Sequence, residues 1–187
     1  MKFPIYAILE NVRSLYNVGA IFRSSDGAGV KKIYLCGITP RPQRGGPAPV
    51  SDRSKSQRRG EADGKRAAEE GESRVEISKT ALGAEKFVEW EYEEEACDVI
   101  ARLKDEGMQI VGVEIAKGAE NFWEAEFDFP VCFVFGHEVE GVSPEVLKMC
   151  DKKVFIPMFG KKESLNVEAA YCTVVYEAVR KFMMKKR

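Results

Sequence analysis

The sequence predicts an α/β fold, a mainly parallel sheet flanked by helices, and three features carry that reading. Apolar stretches of strand length alternate along the chain with stretches of helical periodicity. Two of those stretches, 109–115 and 130–136, are almost continuously apolar, the pattern of strands covered on both faces. Polar and glycine-rich turns follow the strands, where parallel sheets place their ligands.

The elements follow in order. Residues 5–9 form a short apolar run, and 30–37 reads as a strand buried on both sides. Between them, Val18, Ile21, Phe22 and Ser25 recur at helical spacing, and Gly27 and Gly29 act as stop signals, so 17–28 is a helix. Residues 87–92 alternate with period two, and 93–106 is amphipathic up to Gly107. Ser143 and Pro144 open a further helix with an N-cap and a first-turn proline. A last short strand at 154–157 precedes a long helix from Asn166 to the C-terminus, whose Lys185, Lys186 and Arg187 complement its negative end.

One segment breaks the alternation. Residues 39–76 are rich in Pro, Gly, Arg, Ser and Glu and hold almost no large apolar side chains, so they read as a flexible insertion within a single domain spanning 1–187. Its charge is segregated: Arg41, Arg44, Arg53, Lys55, Arg58 and Arg59 stand against only Asp52, while Glu61, Asp63, Glu69, Glu70 and Glu72 dominate its second half. That basic half is expected to touch phosphates, although a solvated linker has the same composition.

Bulk properties exclude several classes. The 187 residues, 44% of them hydrophobic, suffice for one core. No apolar run reaches membrane-spanning length and the first residues lack a signal-peptide pattern, so a soluble cytoplasmic protein is expected. Five widely spaced cysteines and a single histidine make neither a disulfide framework nor a metal site. With 29 basic and 30 acidic residues, nucleic-acid binding would have to come from local charge. Gly27-Ala28-Gly29 ends a helix instead of opening one, and no phosphate-loop motif occurs, which disfavours a dinucleotide or P-loop fold.

Three strand-end loops are chemically unusual. Residues 10–23 gather Asn11, Asn17, Arg13 and Arg23; residues 135–141 set His137, Glu138 and Glu140 between glycines; residues 156–167 form a polar turn running into the last helix. Singly, each has a plain reading: Asn17, Ser164 and Asn166 as helix caps, Arg23 as a solvated side chain, Glu138 as a loop charge, His137 as a loop hydrogen bonder. From residues alone the chain is an α/β enzyme or ligand binder with a polar site.

Taken together, Asn-Val-Arg…Asn-x-Gly-x-x-x-Arg (11–23), Gly-x-Glu-x-x-Gly (136–141) and Ile-Pro-Met-x-Gly…Ser-Leu-Asn-Val (156–167) resemble the three ordered motifs of the SpoU (TrmH-type) RNA 2′-O-ribose methyltransferases of the SPOUT superfamily. Lys79-Thr80-Ala81-Leu82-Gly83-Ala84 resembles a further signature, so the similarity spans nearly the whole chain outside the insertion. The resemblance implies a deep C-terminal trefoil knot and S-adenosylmethionine bound by Gly136, Ile156, Leu165 and Val113. It also implies methyl transfer to a ribose 2′-hydroxyl of tRNA or rRNA, with Arg23, Asn17, Glu138, Ser164 and Asn166 as functional polar residues. Glu138 is expected to pair with or position Arg23. A homodimer with shared sites is implied too, its packing surface on Ala169, Ala170, Val174, Val175 and Ala178.

His137 stands where relatives often carry an amide, and the N-terminal RNA-binding extension of many relatives has no counterpart here, so substrate selection is expected to rest on this domain. Two alternatives differ in class: a catalytically silent RNA-binding protein of the same fold, and a base-directed methyltransferase of the superfamily.

Overall fold

A computed structural model describes residues 1–42 and 77–186. The strands are β1 (Ile5–Glu10), β2 (Lys32–Cys36), β3 (Glu89–Glu93), β4 (Gln109–Val113), β5 (Glu120–Asn121), β6 (Val131–Phe135) and β7 (Lys152–Phe155). The helices are α1 (Leu15–Ala28), α2 (Ala96–Asp105), α3 (Pro144–Met149) and α4 (Val167–Lys185). A further helical stretch at 77–81 leads to a 3₁₀ turn at Ala84–Lys86. Among the described residues no helix is long and apolar enough to cross a membrane.

The strands form one sheet in the order β3-β2-β1-β6-β4-β7-β5, and every pairing is parallel. Strands with period-two side chains that bury both faces need helices on both sides. Ile5, Ala7, Leu9, Ile33, Leu35, Phe133 and Phe135 face the layer of α1 and α4, with Phe22, Tyr171 and Val174. Ile8, Tyr34, Cys36, Ile110, Cys132 and Val134 face α2 and α3, with Val99, Ile100, Leu103 and Val146. The product is a three-layer sandwich, as the apolar runs predict.

Element edges differ from expectation where local chemistry intervenes. The first helix begins earlier than residue 17, because Ser14 is its cap and accepts from the Asn17 N–H at 3.3 Å. Gly29 closes that helix at φ 69°, with the Val30 N–H donating to Ser25 O, so the following strand starts at Lys32. The last strand ends at Phe155, two residues short of Pro157, which has no N–H to continue a ladder. The two-residue β5 carried no signal in its sequence and pairs only with β7.

The insertion's first residue is tied into the fold: Thr39 is buried, donates to Leu9 O at 2.9 Å and accepts from the Val12 N–H at 3.1 Å. Arg41 lies over the Tyr92 ring at 4.0 Å. Residues 43–76, including Arg44, Arg53, Lys55, Arg58 and Arg59, lie outside the described residues.

The stretch 77–81 packs on α1 at a glycine. A Cβ added at Gly19 would stand 2.0 Å from Thr80 Oγ1 and 2.4 Å from Ile77 O, so the helix and the segment could not approach as they do. Gly19→Ala is therefore expected to destabilise the protein by about 1–3 kcal/mol, read as a lowered urea midpoint with an unchanged slope. An unaltered midpoint would show that this contact is loose.

Candidate active site at the carboxyl edge of the sheet

The chain leaves β1 toward β2 and β3 on one side and returns to build β6, β4 and β7 on the other. At such a reversal the loops beyond the strand ends part and leave a crevice. A cavity of about 200 Å³ occupies it. Val113, Glu114 and Ile115 line it from the end of β4, residues 135–141 from β6, and Phe155, Ile156 and Met158 from β7; Glu163, Ser164 and Leu165 close the side toward α4. The predicted positions Val113, Gly136, Ile156, Leu165, Ser164 and Glu138 thus meet in one pocket.

The β6 loop is a tight backbone structure. His137 and Gly141 exchange backbone hydrogen bonds at 3.0 and 2.9 Å, and His137 Nδ1 accepts from the Val139 and Glu140 N–H groups at 3.1 and 3.2 Å. An Nδ1 that accepts leaves the proton of the neutral ring on Nε2. Gly136 lies so close beneath this turn that a Cβ would meet the Gly141 carbonyl and the Val142 nitrogen at 2.2 Å. Gly141 has φ 73°, and its own Cβ would strike Glu114 Oε2, which accepts from the Val142 N–H at 3.0 Å. Both glycines of Gly-x-Glu-x-x-Gly are therefore required by close approach, and Gly141 also by its left-handed backbone.

Glu138 joins this turn to the loop after β1. Its carboxylate accepts from the Arg13 N–H at 3.1 Å, the Ser14 N–H at 3.0 Å and Asn17 Nδ2 at 3.0 Å. Partial burial pushes the carboxyl up, but the hydrogen bonds from Arg13, Ser14 and Asn17 outweigh it and hold the group below its ordinary value. Asn166 Nδ2 donates to Asn17 Oδ1 at 3.1 Å, while Asn166 Oδ1 accepts from the Glu168 N–H at 2.9 Å as the cap of α4. Asn166 is thus both cap and site residue. Asn17 is not a cap, because Ser14 fills that role and frees the amide to bridge Glu138 and Asn166.

Arg23 stands apart from this network. Six residues beyond Asn17 on the same helix, it is displaced about 9 Å along the axis and turned to another face. It lines a separate open groove with Ala20, Ser24, Lys79, Thr80, Glu168 and Tyr176. The expected pairing of Glu138 with Arg23 does not occur; backbone N–H groups and Asn17 occupy that carboxylate instead. Val174, Val175 and Ala178, expected on an outer packing surface, are fully buried in the chain's own core.

Two site residues escaped the sequence reading. Glu10 accepts from the Ser143 N–H at 3.0 Å and from Ser143 Oγ at 2.6 Å, fixing the start of α3. Glu114 holds the other end of the β6 loop through Val142. Their signal was available: each is a carboxylate ending an otherwise apolar strand run.

The SpoU rRNA Methylase family model matches residues 65–176. The chain belongs to that family. A tRNA (guanosine(18)-2′-O)-methyltransferase of Aquifex aeolicus (strain VF5) is 31% identical over 171 residues, 91% of this chain; the chain spans 66% of that relative, just under two thirds of its length. The crystal structure of the A. aeolicus TrmH/SpoU tRNA modifying enzyme superposes with a TM-score of 0.73 at 27% identity, covering 99% of this chain and 78% of that one. The AdoMet-bound rRNA methyltransferase from Sinorhizobium meliloti shares the fold with a TM-score of 0.74 at 23% identity, over 94% of this chain and 56% of that one. In this member of the SpoU family, the second and third motifs line the pocket and the first is tied to it through Glu138.

Glu138→Ala would leave three N–H donors of the first loop without a protein acceptor and is expected to cost on the order of 1 kcal/mol. Because the folded carboxyl titrates below its ordinary value of 4.5, the stabilisation should be complete above that value and fade as the pH falls through the depressed one. Urea unfolding of wild type and variant across this range checks the sign. A difference that grows on acidification would contradict it.

Proposed function

We propose that the chain is an S-adenosylmethionine-dependent RNA methyltransferase that modifies a ribose 2′-hydroxyl of tRNA or rRNA. The observation that carries this reading is the convergence in one pocket of Val113, Gly136, Ile156 and Leu165 with Ser164 and Glu138 at the carboxyl edge of the sheet. Relatives that are tRNA and rRNA 2′-O-methyltransferases support it, as does the AdoMet-bound structure that shares the fold. The interleaved order β6-β4-β7 places two later strands on either side of β4 and supports the family's trefoil knot as part of the same reading. Five free cysteines accord with a cytoplasmic setting.

The pocket fits the cofactor on its own terms. Gly136, kept bare by the close approach of the Gly141 carbonyl and the Val142 nitrogen, offers only backbone groups to the pocket it lines. Ile115, Phe135, Ile156, Met158 and Leu165 supply apolar walls for a ring, and Glu138, Glu140 and Glu163 supply negative charge for a cationic sulfonium. When bound, S-adenosylmethionine supplies an electrophilic methyl group on its sulfur.

The chain's own residues then orient the ribose. The Asn17–Glu138–Asn166 network is held at both ends by backbone N–H groups, so its amides are fixed in direction. Arg23 would neutralise the adjacent phosphate and stabilise the developing 2′-alkoxide as a permanent cation. Because Arg23 lines a groove other than the pocket, we assign it to the neighbouring subunit's site in a homodimer.

Arg23→Ala is expected to lose methyl transfer and keep cofactor affinity, whereas Gly136→Ala should lose both. Mixing the two inactive variants should then restore a fraction of the activity, since some heterodimers hold one intact composite site. A mixture that stays inactive sinks the shared site, and an Arg23→Ala protein that no longer binds S-adenosylhomocysteine in calorimetry sinks the division of labour. Transfer absent in wild type, with RNA bound, would favour the silent RNA-binding alternative.

His137→Asn should retain most of its activity, because an amide oxygen can replace Nδ1 as acceptor for the Val139 and Glu140 N–H groups. Inactivity equal to that of Arg23→Ala would make His137 a proton acceptor.

A further inference from the structure

The third loop carries an aromatic pair that neither the pocket nor the core uses. The Phe159 and Trp123 rings lie 6.0 Å apart at 16°, an offset stack that leaves parts of both faces open. Phe159 is 83% exposed and Trp123 51% exposed. Among the described residues, 157–165 make no hydrogen bond to the rest of the protein. An exposed phenylalanine therefore crowns a polar loop whose neighbouring residues, Met158, Glu163, Ser164 and Leu165, line the cavity.

Trp123 is the rigid half of the pair. Its N–H donates to Asn121 Oδ1 at 3.1 Å, and its carbonyl accepts from the nearly buried Lys181 Nζ at 2.8 Å. Beneath it Phe122 is buried. Two residues beyond Phe159 come Lys161 and Lys162, both exposed and without an ion-pair partner among the described residues. An open aromatic face followed by free ammonium groups matches a base with its phosphates. Glu124 follows Trp123 and Glu163 follows the lysine pair in sequence, so the two ammonium groups draw a polyanion against two neighbouring carboxylates.

We propose that Phe159, backed by Trp123, is a stacking platform for a nucleobase of the RNA strand beside the reacting nucleotide, with Lys161 and Lys162 on its phosphates. The proposal rests on the reading of the chain as an RNA-directed enzyme and adds to it where a flanking base is held. Loop positioning is the competing role, but an intramolecular stack this exposed is a weak tether, and its open faces are unneeded for that purpose.

The test uses the full chain with Trp90→Phe, which leaves Trp123 as the single tryptophan. An oligoadenylate of about eight nucleotides should quench its emission and bind roughly tenfold more tightly than an abasic ribose-phosphate oligomer of equal length. Phe159→Ala should erase that difference, Phe159→Tyr should keep it, and S-adenosylhomocysteine affinity should stay unchanged in both. Lys161→Ser with Lys162→Ser should lower the salt slope by about 1.4, at about 0.7 per single-strand phosphate contact. Equal binding of base-bearing and abasic oligomers overturns the platform. So does a Phe159→Ala protein that loses cofactor affinity but not RNA affinity, which would make the pair a loop tether. Base-dependent binding without methyl transfer to any RNA would keep the platform and refute the enzymatic reading.

Discussion

The Glu138 carboxylate is the joint on which the site depends. It takes two backbone N–H groups and one side-chain amide from the segment that leaves β1, although it belongs to the turn that leaves β6. Those strands are neighbours in register, with Leu9 opposite Phe135, so both loops leave the sheet at the same height and a single side chain can span them. The anionic form makes these bonds best, which is why the carboxyl titrates low despite partial desolvation. Removing the joint would leave the first motif free to move against the pocket.

The same device recurs around the crevice. Glu10 at the end of β1 holds Ser143, and Glu114 after β4 holds Val142, so carboxylates from two strands grip the segment that follows the β6 turn. Loops at the ends of parallel strands leave N–H groups that the strand ladder does not pair. Acidic side chains at the strand ends meet that demand and leave the interior of the crevice to glycine backbone and apolar walls. The negative charge left at the rim then suits a cationic ligand group better than a phosphate.

The helix layer explains why the cations lie elsewhere. α1 and α4 are locked by the Ser25–Tyr171 hydrogen bond at 2.5 Å inside the core and by Ser24 to Glu168 at 2.9 Å nearer the surface. This fixes the rotation of α1, with Asn17 toward Glu138 and Arg23 toward the outer groove. Neither residue could serve the other's role without unpacking Val18, Ile21 and Phe22 from the sheet.

Much of this was legible in order along the chain. The two continuous apolar runs gave two central strands, Ser143-Pro144 marked the start of α3, and the three polar loops were recognisable as motifs by the spacing of their glycines and amides, of which Gly136 and Gly141 are required by close approach. Sequence by itself determined the fold class and the three strand-end loops, which in a parallel sheet must share one edge, and the motifs in those loops pointed to the family. Tertiary structure alone decided how they are wired. Strand order put β6 between β1 and β4, which gave Glu138 to Asn17 and not to Arg23 and recruited Glu10 and Glu114. It also sent Val174, Val175 and Ala178 into the core. Helical periodicity defines an apolar face but not its partner, and a carboxylate's partner depends on which distant N–H groups the packing leaves unpaired.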